Sequence, residues 1–212
     1  DCLEHEAIQP EIKSSINSVI EKLKAEGNTV EGVDFPYLEY MVPTYYVLTT
    51  AEASSNLSRF DGVHYGYRSP NAQGVEETYV LSRTEGFGPE VKRRIMTGTF
   101  VLSNEHYDAY YSQAQRVRRV MKNATDEMFK EVDVLLLPTT PTTAFEIGAV
   151  TDSIQMYLQD IFTVHANITG NPALSIPFAT HQNGMPYGVQ VMADRFCENK
   201  LFNFFNILST LK

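Results

Sequence analysis

DVLLLP, Asp133–Pro138, is the stretch on which the fold class turns. Four apolar residues follow one another at strand length with no polar alternation, the pattern of a strand covered on both faces rather than one facing water. Downstream, Ala173–Phe178 and Gly188–Met192 are further short strand candidates, separated by a turn at Asn183-Gly184. Around them lie helical patterns. Ile154–Ala166 is apolar nearly all round, which predicts a buried helix, and Asn199–Leu211 predicts a closing amphipathic one. Upstream, Leu38–Arg59, Glu76–Phe87, Pro89–Ser103 and His106–Glu131 all read as helices, with a loop punctuated by Gly, Pro and Asn over residues 62–75. Nearer the start, Ile12, Ile16, Val19, Ile20 and Leu23 recur at helical spacing between Pro10 and Glu26, and Thr29–Phe35 alternates like a strand. Apolar strands interleaved with helices predict an α/β fold, a mixed β-sheet flanked by helices.

The 212 residues are 43% hydrophobic and 11% aromatic, enough for a sizeable core. Seventeen Lys and Arg stand against 26 Asp and Glu, a formal charge of -9. That balance opposes unaided binding to nucleic acid, whose affinity comes from cations neutralising phosphates. Cys2 and Cys197 are the only cysteines, far apart and outside any CxxC pattern, so neither a disulfide framework nor a zinc site is expected. No apolar run approaches the roughly 20 residues of a membrane span, and DCLEHEAIQPEIK at the start has none of the features of a signal peptide. A cytoplasmic protein is the expectation. The first residue is not Met, as in a processed or truncated chain.

Three polar positions stand out against apolar surroundings. On the Pro89–Ser103 helix, 100° per residue places Val91, Ile95, Gly98 and Leu102 on one face and Arg94 beside them, with Lys92 and Arg93 pointing away. A guanidinium turned inward requires an anion, either a nearby Asp or Glu or a ligand carboxylate that suits its planar fork. Asp160 falls among Met156, Tyr157, Ile161, Phe162 and Val164, where a carboxylate is expected to be paired, by another helix or by a ligand ammonium. Tyr45, Thr49, Glu52 and Asn56 form a polar stripe, either solvated or facing a ligand. Ser54-Ser55 sit mid-helix with no base at a telling spacing and no GxSxG elbow, so no nucleophile is assigned to them. The five histidines, His5, His64, His106, His165 and His181, show no metal-ligand spacing. Pro138–Thr142 reads as a rigid turn at a strand's C-terminal end, and the basic run Arg116–Lys122 as a solvated face.

Longer stretches carry more information. EASSNLSRFDGVHYGYR (Glu52–Arg68), SRTEGFGPEVKRRI (Ser82–Ile95) and MYLQDIFTVHANITGNPALSIP (Met156–Pro177) together resemble the tRNA-dependent amidotransferase branch of the amidase signature family, over nearly the whole chain. The resemblance implies that residues 1–212 are the C-terminal portion of a single amidase domain, whose large sheet takes strands from both halves. It implies a parent protein that releases ammonia from L-glutamine, with a serine nucleophile, a second serine and a lysine all in an upstream half, so that no catalytic residue falls in this chain. It implies substrate contacts from Tyr45, from Arg94 to the α-carboxylate and from Asp160 to the α-amino group. The implied partners are a tRNA-binding B subunit, which uses ATP and Mg, and a small C subunit, together making Gln-tRNA(Gln) and/or Asn-tRNA(Asn). No cofactor, metal or direct nucleic-acid contact is implied for this chain itself. His64 and Asn104–His106 depart from the family pattern. Two rival readings are a stand-alone amidase of the same superfamily and a non-catalytic assembly module. Unpaired strand edges on a half-sheet would also favour self-association.

Overall fold

The computed structural model describes residues 2–150 and 153–210. The chain divides into two compact units, one made of Asp1–Val42 with Arg118–Lys212 and the other of Pro43–Val117.

In the first unit, helix α1 (Pro10–Ala25) opens on Pro10, whose missing N–H costs nothing at a helix start. It buries Ile12, Ile16, Val19 and Leu23 along one stripe. Beyond it, Gly27 at φ 87° ends the helix in a conformation other residues avoid. The unit's sheet has the order β1-β3-β2, from β1 (Val134–Pro138), β2 (Ala173–Thr180) and β3 (Pro186–Ala193), with both pairings antiparallel. Leu136 and Leu174 both face Val191 across the register, and β2 has an irregularity between Pro177 and Ala179. The turn between β2 and β3 carries Gly184 at φ 81°, as the Asn-Gly pair predicts. Helix α8 (Glu198–Thr210) closes the unit, burying Leu201 and Leu208. Its expected last residue, Leu211, lies outside the described residues.

Several local expectations are corrected. DVLLLP forms β1, but among the described residues it is an edge strand, with Leu135 and Pro138 buried and Val134, Leu136 and Leu137 only half-buried. The strand covered on both sides is β3, where Val189–Ala193 are buried in succession. Thr29–Phe35 has a strand's alternation yet joins no sheet. It runs instead along a groove of about 800 Å³, whose other walls include β1 and, from α8, Phe204 and Ile207. The single helix expected at Ile154–Ala166 is two short ones, α6 (Ser153–Leu158) and α7 (Val164–Thr169), with turns between them.

The second unit is helical. It takes in most of α2 (Leu38–Asn56), all of α3 (Gly74–Gly86) and α4 (Pro89–Val101), and the start of α5 (Gln113–Glu131). Gly98 lets α4 approach α2 closely: a Cβ there would lie 2.0 Å from the Thr50 carbonyl oxygen and 2.5 Å from Ser54 Cβ. The hydroxyls of Ser54 and Thr99 meet at 3.2 Å beside it. In the loop before α3, the Asp61 carboxylate accepts the N–H groups of Val63 and His64 at 2.8 Å and meets the His64 ring at 2.7 Å, which holds its pKa far below the usual carboxylate range. Arg83 reaches back to donate to the carbonyls of Leu57 and Phe60. The long helix expected from His106 instead begins as one π turn, Asp108–Ser112, and becomes α-helical as α5.

Candidate functional site

Arg94 lies on α4 as the periodicity predicts, half-buried between Val91 and Gly98, while Lys92 and Arg93 are exposed. Its Nε–H donates to Glu90 Oε1 at 3.0 Å, one turn earlier on the same helix. That bond is the main reason its pKa stands above the ordinary arginine value. The other Glu90 oxygen accepts from Arg93. So the anion that Arg94 meets here is a neighbouring glutamate, the structural alternative raised by the sequence. With 37% and 45% of the two side chains exposed, such an i,i+4 pair contributes only about 0.3–0.5 kcal/mol. Its larger consequence is geometric, because Glu90 uses the Nε–H and so leaves the terminal amino groups as the edge that can grip a carboxylate by two parallel bonds.

Tyr46 supplies the second restraint. The Arg94 guanidinium carbon stands 5.4 Å from the centre of the Tyr46 ring, a cation–π distance. Tyr45 packs edge-on against the same ring, with centroids 5.4 Å apart and planes at 87°. Tyr45 and Arg94 therefore meet at one side chain, Tyr46, in the second unit. Tyr46 is half-buried, like Tyr45. Farther along the α2 stripe, Asn56 donates to Glu52 at 3.3 Å, and both are exposed.

Asp160 belongs to the first unit, and it lies in the turn between α6 and α7 rather than on a continuous helix. Its carbonyl accepts the N–H groups of Thr163 and Val164 at 3.0 Å, starting α7. The residue is half-buried. Nearby in the chain, Gln159 accepts a 2.7 Å bond from the Thr142 hydroxyl, which ties this turn to the segment after β1. That segment is held as a turn: the Pro141 carbonyl accepts from Gln9 N–H at 2.9 Å, and Thr143 N–H donates to the Gln9 side chain.

Glu90 and Tyr46 are the two residues around Arg94 that sequence reasoning did not assign. Glu90 had a signal, a Glu four residues before an Arg on one helix. Tyr46 had none, since its contact joins two helices. His165, which also carries no site signal, is 3% exposed and accepts no charge easily, with a pKa lowered by burial to about 4. Among the described residues no three of His, Cys, Asp and Glu are grouped to hold a metal ion, and no helix is long and apolar enough to cross a membrane.

The sequence profile of the amidase family matches residues 2–202. The chain is 49% identical over 191 residues to the A subunit of the glutamyl-tRNA(Gln) amidotransferase of Halothermothrix orenii, covering 90% of this chain and 40% of that protein. It is 51% identical over 193 residues to the protein of the same name from Pseudomonas aeruginosa, covering 91% and 40%. Among solved structures it is similar to the A subunit of the glutamyl-tRNA(Gln) amidotransferase from Thermotoga maritima, with TM-score 0.70 and 38% identity over 94% of this chain and 38% of that one. A crystal structure of an amidase, 23% identical with TM-score 0.73, shares the fold. The chain thus spans about 40% of the length of the relatives it matches, and on the match over residues 2–202 it belongs to the amidase family.

Proposed function

We propose that this chain is the substrate-recognition portion of an ammonia-supplying amidase, the glutamine-hydrolysing subunit of a tRNA-dependent amidotransferase. The observation that carries the reading is Arg94, a helix-borne guanidinium held at its Nε and lying over the Tyr46 ring, in a chain about half identical to proteins named as the A subunit of glutamyl-tRNA(Gln) amidotransferase. In this reading Arg94 binds the α-carboxylate of L-glutamine, Tyr45 offers a hydroxyl, and Asp160 takes the α-amino group. A serine in the upstream part of the parent protein attacks the side-chain amide, the C–N bond breaks to release ammonia, and water cleaves the acyl-enzyme to glutamate. The second serine and the lysine, also upstream, assist this exchange. Ammonia then passes to a tRNA-binding B subunit, where ATP and Mg activate the mischarged aminoacyl group, with a small C subunit completing a cytoplasmic complex that makes Gln-tRNA(Gln), Asn-tRNA(Asn) or both. Without its upstream part the chain is inactive, and it self-associates through the β1 edge, which concentration-dependent sedimentation would reveal and a monomer at all concentrations would refute.

Arg94→Ala in the full-length polypeptide is expected to raise KM for L-glutamine about tenfold or more, the scale of losing a charge-assisted hydrogen bond. Unchanged glutamine kinetics would remove Arg94 from the site.

A further inference from the structure

We infer that Glu90 and Tyr46 are positioning residues, which together fix the plane and rotation of the Arg94 guanidinium so that its terminal nitrogens present one edge to a ligand carboxylate. This rests on the reading of Arg94 given above.

An arginine side chain has many rotamers, and a bidentate grip requires one plane and one direction. Glu90 fixes the direction, because a bond from Nε at 3.0 Å stops rotation within the plane. Tyr46 supplies a second point of attachment, with its ring centre 5.4 Å from the guanidinium carbon, and two attachments at different points leave the group little freedom to tilt. Each restraint is itself restrained. The second Glu90 oxygen is held by Arg93, and the Tyr46 ring is braced edge-on by Tyr45 at 5.4 Å. Glu90 also sits in the first turn of α4, where the helix dipole favours an acidic side chain.

Charge adds a second consequence. Glu90 neutralises part of the charge that would attract a ligand carboxylate, so its value to the site lies in the acceptor oxygen and not in its negative charge. Glutamine at position 90 keeps that oxygen and drops the charge; alanine loses both. At position 46, phenylalanine keeps the ring face and leucine removes it.

The test is the ratio of kcat/KM for L-glutamine to that for 4-aminobutanamide, which is the same amide without its carboxylate, measured on the full-length polypeptide. Glu90→Ala is expected to lower the ratio about tenfold through KM, while Glu90→Gln leaves it unchanged or raises it. Tyr46→Leu should lower it about two- to fivefold, with Tyr46→Phe near wild type. A purely structural role would depress both substrates together and leave the ratio alone, and that result would overturn the inference. Arg94→Ala separates recognition from positioning. If it collapses the ratio while the Glu90 and Tyr46 variants do not, positioning fails and the Arg94 reading stands; if it leaves the ratio unchanged, both fail. Glu90 and Arg94 are partly exposed, so their variants are expected to fold, and circular dichroism of each confirms it.

Discussion

His165 shows how much a single side chain can set. It is buried in α7, stacked at 4.5 Å on Phe35 and bonded through Nε2 to Thr125 Oγ1 at 2.8 Å. Thr125 spends its own hydroxyl proton on the Met121 carbonyl, so it accepts from His165, and the ring is neutral with its proton on Nε2. Burial lowers its pKa from 6.5 to about 4. Between those values the unfolded chain binds a proton that the folded chain refuses, so stability falls as pH drops from 6.5 towards 4 and is intact above 6.5. The loss should reach about 3 kcal/mol at the lower end. Urea denaturation at pH 7 and pH 4.5 is expected to show it, and His165→Gln to flatten that part of the profile; equal slopes for the two proteins would show that His165 is not the group responsible. Little of this was legible in the sequence, where His165 is one lone histidine among five. The orientation of Arg94 was legible, because 100° per residue fixes which side chains share a helix face. The Tyr46 contact was not, since periodicity within one helix says nothing about which residue of another lies opposite.

At the scale of elements, the helices were readable and the sheet less so. A helix satisfies its own backbone, so its pattern is sufficient evidence of it; a strand exists only with a partner. Thr29–Phe35 alternates as a strand should, yet it pairs with no strand among the described residues, although β1 lines the same groove. The break between α6 and α7 was hidden for a different reason, since apolar residues on nearly every side of Ile154–Ala166 leave no clean polar face whose phase could reveal the interruption. Close helix approach is set by a residue that looks unremarkable in sequence. Gly98 allows α4 to touch the α2 backbone at Thr50. Alanine there would gain about 1 kcal/mol of helix propensity and lose more, because a Cβ 2.0 Å from a carbonyl oxygen forces the helices apart. Gly98→Ala should therefore lower the urea midpoint by the equivalent of about 1–3 kcal/mol. A variant as stable as the parent would show that the α2–α4 contact is looser than the structure has it.

The whole molecule combines an amidase-family chain, two compact units and a reach of about 40% of its relatives' length. Family membership was written in the long motifs of the second unit and in the Met156–Pro177 segment, which together outweigh any single spacing argument. What composition could not convey is where the residues proposed for recognition fall: Tyr45 and Arg94 lie in one unit and Asp160 in the other. It is the resemblance to the amidase signature family that puts the proposed bond-breaking serine in an upstream part of the parent protein. Ammonia release from L-glutamine by the purified 212-residue chain, with host glutaminase excluded by a parallel preparation lacking it, tests that assignment most directly. No release above background is predicted at any glutamine concentration, and genuine, saturable release would mean that a nucleophile lies within these residues and that the assignment is wrong.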